Sequence, residues 1–150
     1  KNIEINMGNT QSINKINFED MQYFIKNTNE HIIINTLPEN QQSCLIINTV
    51  DPINEVKVIN KHINNKNLKI IIYGLNCNDN TIHEKYNSLY NLGFTNLYLY
   101  TGGMFEWLCL QDIYGSEHFP TTTEETDILK FKAKPHLERR IINNLLQDRY

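Results

Sequence analysis

The hydrophobic positions of this chain fall into short unbroken runs separated by longer amphipathic stretches. Ile32-Ile33-Ile34 and Ile70-Ile71-Ile72 are continuous, β-branched and bounded by polar residues, the pattern of strands buried on both faces. Leu97 to Tyr100 predicts a further strand, and Leu45-Ile46-Ile47 reads as a short strand or strand-like segment. Between these runs the apolar period becomes helical. Phe18, Met21, Phe24 and Ile25 share one face of a helix over 18–26, opened by Asn17 as cap with Asp20 reaching back. Asp51-Pro52 places a cap before a proline at the first helical position, and Ile53, Val56, Ile59 and Ile63 predict the stripe of the helix that follows. Ile82, Tyr86, Leu89 and Leu92 form the stripe of a helix from Thr81, stopped by Gly93, which accepts the left-handed conformation of a helix end. Gly102-Gly103 turns into another helix that ends near Tyr114-Gly115.

Strands alternating with helices through short links predict a doubly wound α/β domain with a mainly parallel sheet. The flanks are less regular. Residues 1–12 are polar and Asn-rich, a tail or an edge strand, while Phe119 to Thr123 reads as extended before a turn over Glu124 to Leu129. A final helix is expected from His136 to about Gln147, with Leu137, Ile141 and Leu145 on one side. The expected division is a tail over 1–15, a domain over 16–115 and an extension over 116–150.

Composition narrows the function more than the fold. A chain of 150 residues is one domain's worth of core, and a net charge of -3 offers no basic field for a phosphate backbone, so nucleic acid is not an expected partner. The three cysteines, Cys44, Cys77 and Cys109, are too few and too irregularly spaced for a disulfide framework or a zinc site. The expectation is a soluble, cytoplasmic protein with no metal, no cofactor and no membrane segment, since no apolar run approaches the roughly 18 residues of a span.

Chemistry in open α/β sheets gathers where strands end. Here that place is the loop after Ile70-Ile71-Ile72 and Tyr73, comprising Gly74, Leu75, Asn76, Cys77, Asn78, Asp79 and Asn80, with Thr81 opening the next helix. Cys77 is the candidate nucleophile. A reactive thiolate needs loop amides, a helix N-terminus or a cation to lower its pKa. The first two lie within reach, but no Lys or Arg stands between Gly74 and Glu84, and Asp79 adds an opposing charge. An inert loop thiol is the alternative. His83, in the first turn of the helix, is either a base for Cys77 or a solvated surface histidine. Gly102 and Gly103 let the backbone turn tightly past the loop.

The order of these motifs resembles a rhodanese-like domain. The resemblance rests on Tyr73-Gly74 before the loop, Leu92-Gly93-Phe94-Thr95-Asn96-Leu97-Tyr98, and Gly102-Gly103-Met104-Phe105-Glu106-Trp107. Upstream, Ile16-Asn17-Phe18-Glu19-Asp20-Met21 is similar to the family's first helix start, and Ile32 to Pro38 to its second strand. It implies a three-layer fold with helices on both faces of the sheet, and a tight loop whose amides stabilise a cysteine persulfide.

The departures from the family are concentrated at the loop. Gly74 holds the position of the family's cysteine, while counting back from Gly93 puts Cys77 within one residue of it. The family's Asp and Arg after the second strand become Asn35 and Leu37, and its Gly-His-Ile element becomes Cys44-Leu45-Ile46. The family layout also brings Cys44 toward Cys77 as a conceivable redox partner, against the reading of a small buried hydrophobe. Thr81 stands where a related phosphatase loop would have its phosphate-clamping Arg. The resulting expectation is a non-catalytic interaction or regulatory module with a protein partner. The alternative is a thiosulfate or persulfide sulfurtransferase carrying sulfur on Cys77, with a sulfur donor and acceptor as partners.

Overall fold

A computed structural model describes residues 12–27 and 29–137. The elements are β1 (Asn14–Ile16), α1 (Phe18–Lys26), β2 (His31–Asn35), α2 (Glu55–Lys61), β3 (Lys69–Tyr73), α3 (Thr81–Asn91), β4 (Leu97–Tyr100) and α4 (Gly103–Tyr114). Three single 3-10 turns, Glu39–Gln41, Pro52–Asn54 and Ile128–Phe131, join them. The sheet runs β1-β4-β3-β2 with every pair parallel, in register Ile71 with Tyr98 and Ile33 with Ile71. Parallel neighbours need crossovers, and the helices provide them.

Those crossovers divide the core in two. On one face α1 and α4 bring Met21, Phe24, Met104 and Trp107 onto Ile33, Ile71, Tyr73 and Tyr100. On the other, α2 and α3 bring Ile59, Ile82, Tyr86 and Leu89 onto Ile34, Ile70, Ile72, Leu97 and Leu99. Alternate strand residues serve opposite faces, so the isoleucine runs are apolar throughout because both faces are covered. The expected three-layer α/β architecture is therefore the one found. The cap of α1 also forms as expected: Asp20 N donates to Asn17 Oδ1 at 2.9 Å, and Asn17 N to Asp20 Oδ2 at 3.1 Å.

Several local expectations are corrected. Leu45-Ile46-Ile47 is not a strand; Ile46 makes one isolated bridge to Thr121, and the chain turns at Asn48, whose φ is 69°. The segment is apolar because Leu45 and Ile46 enter the core, not because it joins the sheet. Ile53 and Val56, expected inside, are 87% and 70% exposed. Their segment opens as a 3-10 turn, with Asp51 Oδ1 accepting from Ile53 N at 3.0 Å, and the α-helical phase begins only at Glu55. Of the expected stripe only Ile59 is buried, with Ile63 half-buried. Leu92 is likewise half exposed at the end of α3. The late turn forms over Ile128–Phe131, beyond the expected Glu124 to Leu129. His136 and Leu137 lie in a turn, and the rest of the expected terminal helix falls outside the described residues.

The segment after α4 is built into the domain core. Phe119 and Phe131 are 3% and 1% exposed, and the Phe119 ring meets Trp107 edge-on at 5.0 Å. Trp107 Nε1 donates to Pro120 O at 3.2 Å, and Ile47 N does the same at 3.2 Å. Thr122 N donates to Leu45 O at 2.8 Å, while Leu45 N donates to Thr122 Oγ1 at 3.0 Å. Residues 120–122 thus give the 45–47 segment the backbone partners that the sheet does not.

Candidate functional site

The loop Gly74 to Asn80 leaves the C-terminal end of β3, between Asn35 and Thr36 at the end of β2 and the start of α4 after β4. Its path is set from both sides. Met104 N donates to Gly74 O and Phe105 N to Leu75 O, each at 2.9 Å, so the free amides of the α4 N-terminus are used on loop carbonyls. Thr36 N donates to Tyr73 O at 2.9 Å from the β2 side.

Gly103 makes this approach possible. Its φ is +69°, and a Cβ there would come within 2.7 Å of Gly74 O and 2.8 Å of Asn76 N, both backbone atoms. Gly102 differs, because a Cβ there would meet only the side chain of Glu106. That carboxylate accepts from Tyr100 Oη at 2.6 Å. Burial and the neighbouring Glu106 both push the Tyr100 pKa up.

Inside the loop the dominant group is Asp79. Its Oδ2 accepts from Leu75 N at 2.8 Å and its Oδ1 from Thr81 N at 3.0 Å. Thr81 Oγ1 lies 2.5 Å from the same Oδ1 and 2.7 Å from Thr36 Oγ1. A threonine hydroxyl has one proton, so Thr81 donates to the carboxylate and accepts from Thr36. The carboxylate also occupies the space beside Gly74, since a Cβ built there would collide with Asp79 Oδ2 and lie 2.8 Å from Thr36 Oγ1. Leu75 N from the loop and Thr81 N from the helix terminus are thus both engaged by a carboxylate of the chain itself.

Asn76 organises the other half. It is 8% exposed, its Oδ1 accepts from Asn78 N and its Nδ2 donates to Phe131 O, each at 2.9 Å. Asp79 N donates back to Asn76 O at 3.1 Å. Asn80 is exposed, and its carbonyl accepts from His83 N at 3.0 Å.

Cys77 is displaced from this network. It is exposed, and its Sγ stands 3.9 Å from Asn78 Oδ1, well beyond the reach of a strong hydrogen bond. Cys44 is buried and directs its Sγ to Thr123 O at 3.4 Å, so its thiol is engaged with the 120–123 segment. His83 is half-buried, and its Nδ1 is enclosed without a hydrogen-bond partner. No cluster of metal-ligating side chains occurs among the described residues. A half-open groove of about 670 Å³ lies between α4 and residues 121–128, lined by Leu108, Asp112, Glu124 and Ile128 among others; none of Gly74 to Thr81 contributes to it.

Asn35 and Leu37 form a neutral corner next to the loop. Asn35 Oδ1 accepts from Leu37 N at 2.9 Å and from Gln42 Nε2 at 2.8 Å, a turn that holds the end of β2 without any charge. The sequence places Asn76 and Asp79 in the candidate loop, Asp79 as a charge opposing a thiolate, but gives neither its hydrogen-bonding role and leaves Thr36 out. The available signal was the position of Asp79, two residues before Thr81, where Asp commonly accepts from the backbone two residues on.

No family model matches the chain, and no curated protein matches it significantly. Solved structures do. The Alr3790 protein from Anabaena sp. matches with a TM-score of 0.50 at 16% identity, over 77% of this chain and 97% of that one. The solution structure of the rhodanese-like domain from the same protein matches at 0.52 and 17% identity, over 83% and 87%. At such identities the likeness speaks for the fold alone.

Proposed function

We propose that this chain, whose fold is rhodanese-like, serves as a non-catalytic interaction or regulatory module for a protein partner. One observation carries the reading. The Asp79 carboxylate fills the space beside Gly74, where the family's sulfur-bearing side chain is expected, and accepts from a loop amide, Leu75 N, and a helix-terminal amide, Thr81 N. A persulfide-carrying cysteine must be an anion, and a fixed carboxylate at the centre of the loop opposes a second negative charge there. Cys77 sits outside, exposed and without a cation from Gly74 to Glu84. All three cysteines are unpaired, which supports a reducing compartment such as the cytoplasm. No helix among the described residues is long and apolar enough to cross a membrane.

The test is to incubate the protein with thiosulfate and, separately, with a persulfide donor, and to weigh the intact chain by mass spectrometry. The expected result is no sulfur addition at Cys77. A gain of one sulfur that Cys77→Ser abolishes would overturn this reading in favour of a sulfurtransferase.

A further inference from the structure

The Ile128–Phe131 turn lies against α4, and the Asn76 side chain hydrogen-bonds it to the loop. Asn76 Nδ2 donates to Phe131 O, while Asn76 Oδ1 holds the amide of Asn78, so one amide group sets the loop around Cys77 and binds the turn. The turn is anchored at its C-terminal end. The Phe131 ring is buried in the core, and Lys130 Nζ pairs with Glu125 Oε1 at 2.6 Å across the preceding bend. Further upstream Thr123 Oγ1 donates to Ser43 O at 2.9 Å, and Thr123 O accepts from Cys44 Sγ.

We propose that the Ile128–Phe131 turn is a strap that sets the conformation of the 74–80 loop through Asn76, so that lifting the strap releases the loop and changes the exposure and reactivity of Cys77. The device follows from how the amide is shared. A buried carboxamide that satisfies a backbone donor in the loop and a backbone acceptor in the strap cannot leave either without stranding a polar group, so the two segments move together. Phe131 strengthens the contact, because the residue whose carbonyl accepts from Asn76 is held by a ring buried in the core. The strap is accessible from outside, with Leu129 65% exposed two residues before the buried Phe131. The coupling stands whether or not Cys77 carries sulfur.

The experiment uses the full chain and reads two quantities: hydrogen exchange at the amides of Leu75 and Asp79, and the rate at which iodoacetamide alkylates Cys77. Asn76→Asp keeps the acceptor for Asn78 N and replaces the donor to Phe131 O with a second oxygen. Phe131→Ala removes the anchor and leaves every loop residue in place. Leu89→Ala, buried on the opposite face, controls for general loosening. Both strap variants are expected to speed exchange at Leu75 and Asp79 by about tenfold and to shift the Cys77 rate several-fold, with Leu89→Ala changing neither beyond its effect on all amides. Loop exchange and Cys77 alkylation at wild-type rates in a folded strap variant would overturn the proposal, as would an equal acceleration by Leu89→Ala. Should Phe131→Ala not fold, Phe131→Leu, which weakens the anchor and leaves the loop sequence unchanged, decides the matter by the same readings.

Discussion

Gly74 and Asp79 share one volume: the space that a side chain on Gly74 would take is filled by the Asp79 carboxylate. The two positions are therefore coupled, and neither can be altered toward an active-site cysteine alone. Gly74→Cys is expected to cost about 1–3 kcal/mol through overpacking. Asp79→Gly removes the acceptor for Leu75 N and Thr81 N and is also destabilising. The double variant should be less destabilised than the sum, with a coupling of about 1 kcal/mol or more in a urea-denaturation cycle. Strict additivity would show that the clash is relieved by movement elsewhere.

Gly102 and Gly103 are adjacent in sequence and unequal in consequence. Gly103→Ala forces a Cβ onto loop backbone at a positive φ, so a loss of about 1–3 kcal/mol is expected. Gly102→Ala displaces the Glu106 side chain from Tyr100 Oη without meeting loop backbone, and its cost should be about 1 kcal/mol, the worth of that hydrogen bond. Thermal unfolding of the two variants gives the comparison, and equal shifts in Tm would contradict the close approach of α4 to the loop.

Alkaline unfolding is expected from the sheet's C-terminal edge. Tyr73 and Tyr100 are buried side by side in register, and burial pushes both phenol pKa values up from their ordinary value. A raised phenol pKa means that the native state holds its proton where the unfolded chain has lost it. The stabilisation is complete below the unfolded value near pH 10 and is lost as pH rises toward the folded values. Above about pH 10 stability should fall by about 1.4 kcal/mol per pH unit for each such tyrosine. Tyr100→Phe should remove one proton's worth of that slope in denaturation series between pH 9 and about 11, and an unchanged slope would place the titration elsewhere.

Two isoleucines on consecutive segments test the corrected helix phase. Ile53→Asp should change stability by no more than about 0.5 kcal/mol, because Ile53 is 87% exposed. Ile59→Ala should cost about 2–5 kcal/mol, because it packs under the sheet with Leu89 and Phe94. Phe119→Ala belongs with Ile59, at about 3–5 kcal/mol, although it lies past the expected domain limit at residue 115.

The contrast between these residues shows what local pattern can and cannot carry. Ile32–Ile34 and Ile70–Ile72 were legible because a strand covered on both faces has no polar positions to confuse its reading. The Asn17 cap was legible because its partners lie within one turn. Leu45–Ile47 was misread because burial alone does not say whether a backbone pairs with a sheet or with Pro120 and Thr122, more than seventy residues away in the chain. Val56 was misread because the 3-10 opening shifts the helical phase, which apolar spacing does not record. At the loop, Cys77 drew attention as the reactive atom type. The group that closes the loop is Asp79, meeting Leu75 and Gly74 and leaving Cys77 outside, a contact set by how the chain folds back.

The strand order has a consequence for the sequence of events in folding. β1 is the first of the described elements, yet its neighbour in the sheet among the described residues is β4, paired Asn14 to Tyr98 and Ile16 to Tyr100. As the chain leaves the ribosome, β2 and β3 can meet through α2 long before β1 has any edge to join. Of the four described strands, the one made before the others is thus the one whose pairing waits longest, until the residues through Tyr100 have been made.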